Sequence, residues 1–428
     1  YYSSWSIYGR GYKPWQMKLD QITHVHYAFF DVTSTCQVAT LDSWADWDIV
    51  YPEMGMSYND GPSVVHGNIG AFQRLRVQHP HLKLALSLGG WTKSQYFSGC
   101  ANDPTKRATL ISTALAVLER ADFDGIDVDW EYPTGSGLAT NEADPTDWQN
   151  YLLLLHGLRD AMDAKWPNKR MELTIAMGMN PSLTDNAPMA ELASVLDAVN
   201  LMSYDFNGAW AKLIGHNAPL FEDPAYAAGG GDARFHVNWG VGKWLAKVPA
   251  SKLVLGMPAY GRGWTSPTPT QYSSNSNNGA LAGTWEAGVL SYWDLAANYI
   301  GKPGWTRYFN AVAKSIGIKA TYARSLGLGG MMWWEATDDK DGPFPKPVAV
   351  SQSFAKPLAK PLAKPLVKPL AKSFAQSIEL APAPASWLQR PLVAAMVSGT
   401  IGIVVGYAVA SLGARQAGKQ ELLIPVAI

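Results

Sequence analysis

Residues 123–133 read Phe123-Asp124-Gly125-Ile126-Asp127-Val128-Asp129-Trp130-Glu131-Tyr132-Pro133, so Asp127, Asp129 and Glu131 alternate with Val128 and Trp130. In an extended strand, residues i, i+2 and i+4 point to one face. Three carboxyl groups therefore line one side of a strand whose other side is apolar. Burying carboxylates is costly unless they are hydrogen-bonded or share protons. The chain must fold so that this strand ends at a polar, partly enclosed site. Crowded negative charges oppose one another's ionisation, so Glu131, at the C-terminal end of the row, is expected to keep a proton near neutral pH and to act as a general acid. The apolar alternation argues against a solvated acidic loop. The missing Gly/Asn ligand spacing argues against a calcium site, and no metal is expected.

Eight short apolar runs read as strands: Tyr2–Tyr8, His24–Phe30, Lys83–Leu88, Gly125–Asp129, Glu172–Met177, Ala198–Ser203, Leu253–Met257 and Gly329–Trp334. Stretches with helical periodicity separate most of them, among them Pro104–Ala121 and Thr146–Lys165. Pro104 suits a first helical turn, and Asp147 suits the positive end of the next helix. Eight strand–helix alternations suggest an α/β fold of the TIM (β/α)8 barrel type, which places chemistry at the C-terminal ends of its strands. An open doubly wound sheet satisfies the same count.

Lys+Arg and Asp+Glu both number 35, a balance that opposes nucleic-acid binding and suits a neutral partner. The 18 Trp and 19 Tyr offer flat platforms for sugar rings, although a core would absorb many of them. Cys36 and Cys100 fit no metal-ligand spacing; they either pair in an oxidising compartment or stay as small buried thiols.

Composition changes after about Pro345. Residues 346–390 carry Lys-Pro-Leu-Ala repeats with Pro357, Pro361, Pro365 and Pro369 four apart, which predicts an extended linker without a core. Residues 391–414 hold 24 positions without a charge between Arg390 and Arg415, long enough for a membrane-spanning helix. Ser398, Gly402, Gly406 and Ala410 would give that helix a small-residue stripe for self-association. A short tail, 415–428, follows. The expected location is the secretory pathway, membrane-anchored, with the N-terminal domain extracellular or luminal. The chain starts at Tyr1, so a removed signal peptide is neither shown nor excluded.

The acid row resembles the D-x-x-D-x-D-x-E signature of family 18 glycoside hydrolases, with Asp124, Asp127, Asp129 and Glu131 in place. Four further segments resemble that family in order: Ser87-Leu88-Gly89-Gly90-Trp91, Met202-Ser203-Tyr204-Asp205, Met257-Pro258-Ala259-Tyr260-Gly261-Arg262 and Gly329-Gly330-Met331-Met332-Trp333-Trp334. The resemblance implies a catalytic barrel over 1–345 and a chitinase that hydrolyses N-acetylglucosamine polymers with retention, assisted by the substrate and without a cofactor. It assigns Glu131 as proton donor, Asp129 to orient and stabilise the acetamido N–H with Asp127 behind it sharing a proton, and Tyr204 to hydrogen-bond the acetamido carbonyl oxygen. Asp205 and Arg262 would hold the distorted sugar, and Trp334 would floor the cleavage subsite. Tyr27, Trp91, Met202 and Tyr260 match cleft positions, and Asp124 joins the substrate-binding set. The α+β insertion between strands seven and eight, about 263–326, is shorter than in the family's larger members. Chitin or chitooligosaccharides are the expected partners. The alternatives are a chitin-binding lectin without turnover and a hydrolase of the N-glycan chitobiose core.

Overall fold

The computed structural model describes residues 1–266, 271–274, 279–314, 316–340, 406–411 and 421–425. Eight parallel strands follow one another in chain order: β1 (Tyr2–Ser3), β2 (His24–Val32), β3 (Lys83–Gly89), β4 (Gly125–Asp129), β5 (Glu172–Gly178), β6 (Ala198–Met202), β7 (Leu253–Pro258) and β8 (Gly330–Trp334). Each is hydrogen-bonded to the next, and Val38–Thr40 adds a short antiparallel edge to β2. The curl brings β8 back to the start of the chain. There the Tyr1 amino group donates to the Trp333 carbonyl at 3.0 Å, and the Ala336 amide donates to the Tyr1 carbonyl at 2.9 Å. The result is a TIM-barrel-like fold.

Helices between these strands cover the outside: α1 (Gly67–Gln78), α2 (Pro104–Ala121), α3 (Asp147–Lys165), α4 (Met189–Val195), α5 (Val237–Leu245) and α6 (Ile316–Ser325). Helix α2 starts where its sequence predicts. The Asp103 side chain accepts from the Thr105 and Lys106 amides, and Pro104 fills the first turn, where no donor is needed. Its Leu110, Leu115 and Leu118 join one core with Leu84, Leu86, Ile126 and Val128, which are buried on the outward faces of β3 and β4. Each such side chain contributes about 1.5–3 kcal/mol of burial. Strand alternation then sends the intervening residues inward: Ala28 and Ala176 join Met202 and Met332 in a separate inner cluster. That alternation, and nothing longer-range, turns Asp127 and Asp129 toward the barrel axis.

Two expectations change, and the insertion takes a definite form. The first strand stops at Ser3, because Ser4–Ile7 winds into a 3-10 turn stabilised by a 2.7 Å contact between the Ser3 and Ser6 hydroxyls. The insertion forms a hairpin of Tyr260–Arg262 with Val289–Ser291, and a four-stranded antiparallel sheet of Trp264–Ser266 and Trp305–Phe309 with Gly406–Ser411 and Glu421–Pro425. The membrane helix expected over 391–414 is therefore corrected where it can be seen: Gly406–Ser411 is a strand, which also removes Gly406 and Ala410 from a helical association stripe. Its Tyr-Ala-Val-Ala sequence suits a ladder with Trp305–Phe309 as well as it suits a helix. The rest of that stretch and the linker 346–390 lie outside the described residues. Among the described residues, no helix is long and apolar enough to cross a membrane.

Cys36 and Cys100 form a disulfide across 64 residues, with Cα atoms 5.4 Å apart. Closing a loop of that length restricts the unfolded chain by about 4 kcal/mol in the chain-entropy account.

Candidate active site

Register builds the site in layers. Ser87 on β3 lies opposite Asp127 on β4, which lies opposite Thr174 on β5. All three point inward, so the Asp127 carboxylate sits among donors. It accepts from Thr174 Oγ1 at 2.6 Å, Ser87 Oγ and Tyr1 Oη at 2.8 Å each, and Asn200 Nδ2 at 3.1 Å. His26 lies beneath it, its Nδ1 3.7 Å from Asp127 Oδ1, and stacks on the Tyr1 ring at 4.7 Å. Burial lowers the pKa of His26 to about 4, against the pull of Asp127, so the ring stays neutral.

Exposure rises along the row, from 0% at Asp127 to 4% at Asp129 and 9% at Glu131. Asp129 Oδ1 is buried and has no hydrogen-bond partner. Burial raises the Asp129 pKa well above the ordinary carboxyl range, and Glu131 and Asp127 push it further. Glu131 is raised to about 7, first by burial; a hydrogen bond from Tyr132 opposes this and Asp205 adds to it. The two groups titrate as a pair. The proton on Glu131 thus comes mainly from desolvation, and less from crowding than its spacing suggests. The Glu131 backbone is pinned: its amide donates to Ser94 Oγ at 2.8 Å, and its carbonyl accepts from Asn141 Nδ2 at 2.9 Å.

The ends of β6, β7 and β8 supply the facing wall. Asp205 accepts from Tyr260 Oη at 2.6 Å and from Arg262 through Nε at 2.9 Å and Nη2 at 2.8 Å. Burial works to lower the Arg262 pKa, but Asp205 outweighs it and holds the guanidinium above its ordinary value. Arg262 also lies over the ring of Trp210, at 4.7 Å, and Trp210 is exposed. The Tyr204 ring meets Tyr260 edge-on at 6.2 Å, and burial followed by Asp129 raises the pKa of its phenol. Trp334 stacks on Phe29 at 5.4 Å and meets Tyr1 edge-on at 5.8 Å. Met202 belongs to the same inner cluster, and Trp91 is half-exposed with its ring 6.4 Å from Tyr132. Trp5, Arg10, Asp205, Tyr260, Arg262, Trp285 and Trp334 take part in lining one cleft.

Two of the expected residues stand elsewhere. Tyr27 is fully buried on the outer face of β2, between Tyr2, Phe72 and Phe123, and its hydroxyl donates to Asp46 at 2.5 Å. Its neighbours His26 and Ala28 take the inward positions, so Tyr27 does not line the cleft. Asp124 precedes β4 at the opposite end of the strand, about 23 Å of extended chain from Glu131. There it accepts from the Leu84 amide at 3.1 Å and pairs with Lys169 at 3.0 Å and Arg76 at 3.4 Å. It does not join the substrate-facing group. Tyr1, His26, Ser87, Thr174 and Asn200 pack around Asp127, and motif reading gave none of them a role. For Ser87, Thr174 and Asn200 the signal was their place on inward strand positions level with the acid row, whereas His26 lies one layer below it and Tyr1 precedes β1.

Among the described residues, no group of three or more His, Cys, Asp or Glu side chains is placed to hold a metal ion.

Comparison with known proteins follows the same residues. The sequence profile of the family described as Glycosyl hydrolases family 18 matches residues 1–339. The chain is similar to Chitinase A1 of Niallia circulans, 39% identical over 80% of this chain and 56% of that protein. Endochitinase 1 of Metarhizium robertsii is 35% identical over 80% of this chain and 81% of its own length. Among solved structures, Chitinase ChiA74 from Bacillus thuringiensis matches with a TM-score of 0.74 and 31% identity, covering 83% of this chain and 67% of that one. The chain thus spans little more than half the length of the Niallia relative.

Proposed function

Because this chain belongs to the family 18 glycosyl hydrolases, we propose that it is a chitinase, cleaving β-1,4 bonds between N-acetylglucosamine units with retention and with help from the substrate itself. The observation that carries the reading is the buried, unpartnered Asp129 Oδ1 between Asp127 and Glu131. A buried acceptor left without a donor is costly. An acetamido N–H supplies the missing donor.

Glu131, protonated by its burial, gives its proton to the glycosidic oxygen as the bond to the anomeric carbon breaks. The acetamido carbonyl oxygen attacks that carbon and forms an oxazolinium ion. Asp129 accepts from the acetamido N–H and orients it; the proton that burial holds on Asp129 is shared with Asp127 as positive charge develops, so that the carboxylate offsets that charge. Asp127, fixed by four donors, holds the base of the row. Tyr204 donates to the acetamido oxygen. Water activated by Glu131 then opens the ring from the face the leaving group left, and the β configuration returns. Because the nucleophile is already attached, the enzyme's task is orientation. Trp334 floors the cleavage site, Asp205 and Arg262 grip the distorted sugar, and the aromatic wall suits a linear polymer.

The disulfide between Cys36 and Cys100 supports an extracellular or luminal setting, since such bonds persist in oxidising compartments. Membrane anchoring through 391–414 is not carried into this reading.

Incubating the protein with chitin hexamer and separating the products tests it. Shorter oligomers are the expected result. Binding without turnover would make the protein a lectin, and neither binding nor turnover would direct the assay to the N-glycan chitobiose core.

A further inference from the structure

Helix α6 lies behind the catalytic wall and fully buries one charged side chain, Lys319. Its Nζ donates to the Ser203 carbonyl at 2.9 Å. Ser203 is the first residue past β6, whose ladder with β5 ends at Met202. Beyond the ladder its carbonyl needs another donor, and α6 reaches in to provide it. The Ser203 hydroxyl meanwhile donates to the Gly256 carbonyl of β7 at 2.5 Å. One residue is thus held from the helix layer and from the neighbouring strand.

The next two residues are Tyr204 and Asp205. Asp205 adopts φ 58°, a left-handed conformation that a non-glycine residue keeps only where its surroundings over-determine it. Its amide donates to Asn217 Oδ1 at 2.9 Å, and its carboxylate is taken by Tyr260 and Arg262. Those contacts all act on Asp205 itself. The contact from Lys319 acts one residue before Tyr204.

We infer that Lys319 is a positioning residue for the reaction: its hydrogen bond to the Ser203 carbonyl fixes the backbone from which Tyr204 and Asp205 enter the cleft. The inference rests on the chitinase reading above. Stability alone explains Lys319 poorly, because an apolar side chain of similar volume is often neutral or stabilising where a charge is buried. Burial lowers its pKa to about 7, and a neutral amine still donates. Tyr204 and Asp205 act on the acetamido group and on the distorted sugar, so a shift in their backbone weakens the transition state more than it weakens ordinary substrate binding.

The test uses the full chain with Lys319→Met and Lys319→Gln, and Tyr322→Phe as the control. Tyr322 sits on the same helix and donates to Asn238 at 2.9 Å, away from the site. With chitin hexamer, and rates expressed per folded molecule, Lys319→Met should lose about tenfold in kcat with KM within about twofold. Lys319→Gln, whose donor is one atom short, should lose about threefold. Tyr322→Phe should change melting temperature alone. A Lys319→Met kcat within twofold of the parent, or an equal kcat loss in the Tyr322→Phe control, overturns the inference. If only the Gln variant folds, parental kcat in that variant overturns it. Failure of the chitinase reading would appear in the unaltered protein; the variant-to-parent ratio would then be read on the N-glycan core substrate.

Discussion

One strand carries two kinds of aspartate at its two ends. At the N-terminal end, Asp124 is met by the Leu84 amide, Lys169 and Arg76, and together they hold its carboxyl below the ordinary range although burial works the other way. At the C-terminal end, burial lifts Asp129 and Glu131 well above that range, and no Lys or Arg pairs with either among the described residues. Asp124 and Asp129 share residue type and motif, yet the charge state differs. Cations and backbone amides at the bottom of the barrel turn an acid into a structural tie. Their absence at the top leaves an acid that keeps its proton. A motif match by itself does not separate the two, whereas the end of the strand does.

The largest effect that could break this comparison comes from the top. Glu131→Gln should cut kcat by about 10³-fold and leave the fold intact, because general acid catalysis contributes on the order of 10²–10⁴; circular dichroism and initial rates check it. Asp129→Asn should follow at about 10²-fold, since it weakens the stabilisation of the developing charge but spares the proton donor. Comparable rates in the parent and in either variant would dissolve the distinction.

At the bottom, Asp124→Asn should cost about 1–3 kcal/mol of stability, because the Leu84 amide, Lys169 and Arg76 lose an ionised partner. Its kcat per folded molecule should be unchanged. Denaturant unfolding alongside kinetics makes this check.

The sharpest contrast is in pH. The raised pKa of Glu131 means that its contribution to stability is complete below its unfolded value of 4.5 and is lost as pH rises toward about 7. Glu131→Gln should therefore melt above the parent by a few °C at pH 8 and level with it near pH 4. Asp124 runs the other way: its depressed pKa stabilises above the unfolded value of 3.8, and the benefit fades as pH falls below that. The melting deficit of Asp124→Asn should accordingly shrink in acid. Slopes of the same sign in the two variants would contradict the electrostatic account.

The smallest effect belongs to Tyr27→Phe. Loss of its hydrogen bond to Asp46 should cost about 1 kcal/mol and leave KM unchanged, in keeping with its place behind the sheet.

Much of this was legible in the residues. Seven of the eight strands fall within two residues of the apolar runs, and α2 spans Pro104–Ala121 as its cap and first-turn proline require. The acid row faces inward as its period of two demands. The misplaced residues yield to the same parity. Tyr27 lies level with Leu86, whose successor Ser87 faces the axis, so Tyr27 had to face out. Asp124 sits on the opposite parity from Asp127, Asp129 and Glu131 and one step before the strand begins.

Other features depended on long-range contact that no local pattern encodes. Cys36 and Cys100 met only because the turn after β2 lies beside the helix Phe97–Asn102. The donors around Asp127 come from β3, β5, β6 and the chain start, as far as 126 residues away in sequence. An uncharged stretch such as 391–414 is equally compatible with a spanning helix and with a strand that finds a ladder, and Gly406–Ser411 found one in Trp305–Phe309.

The central claim, that the top of β4 performs retaining hydrolysis with Glu131 as proton donor, is tested most directly by the anomer released first. Chitin hexamer would be mixed with the parent, Asp124→Asn and Glu131→Gln proteins, and the products followed by proton NMR before they mutarotate. The account predicts β-anomeric products from the first two and essentially none from the third. An α-anomer formed first, or undiminished turnover by Glu131→Gln, would contradict it.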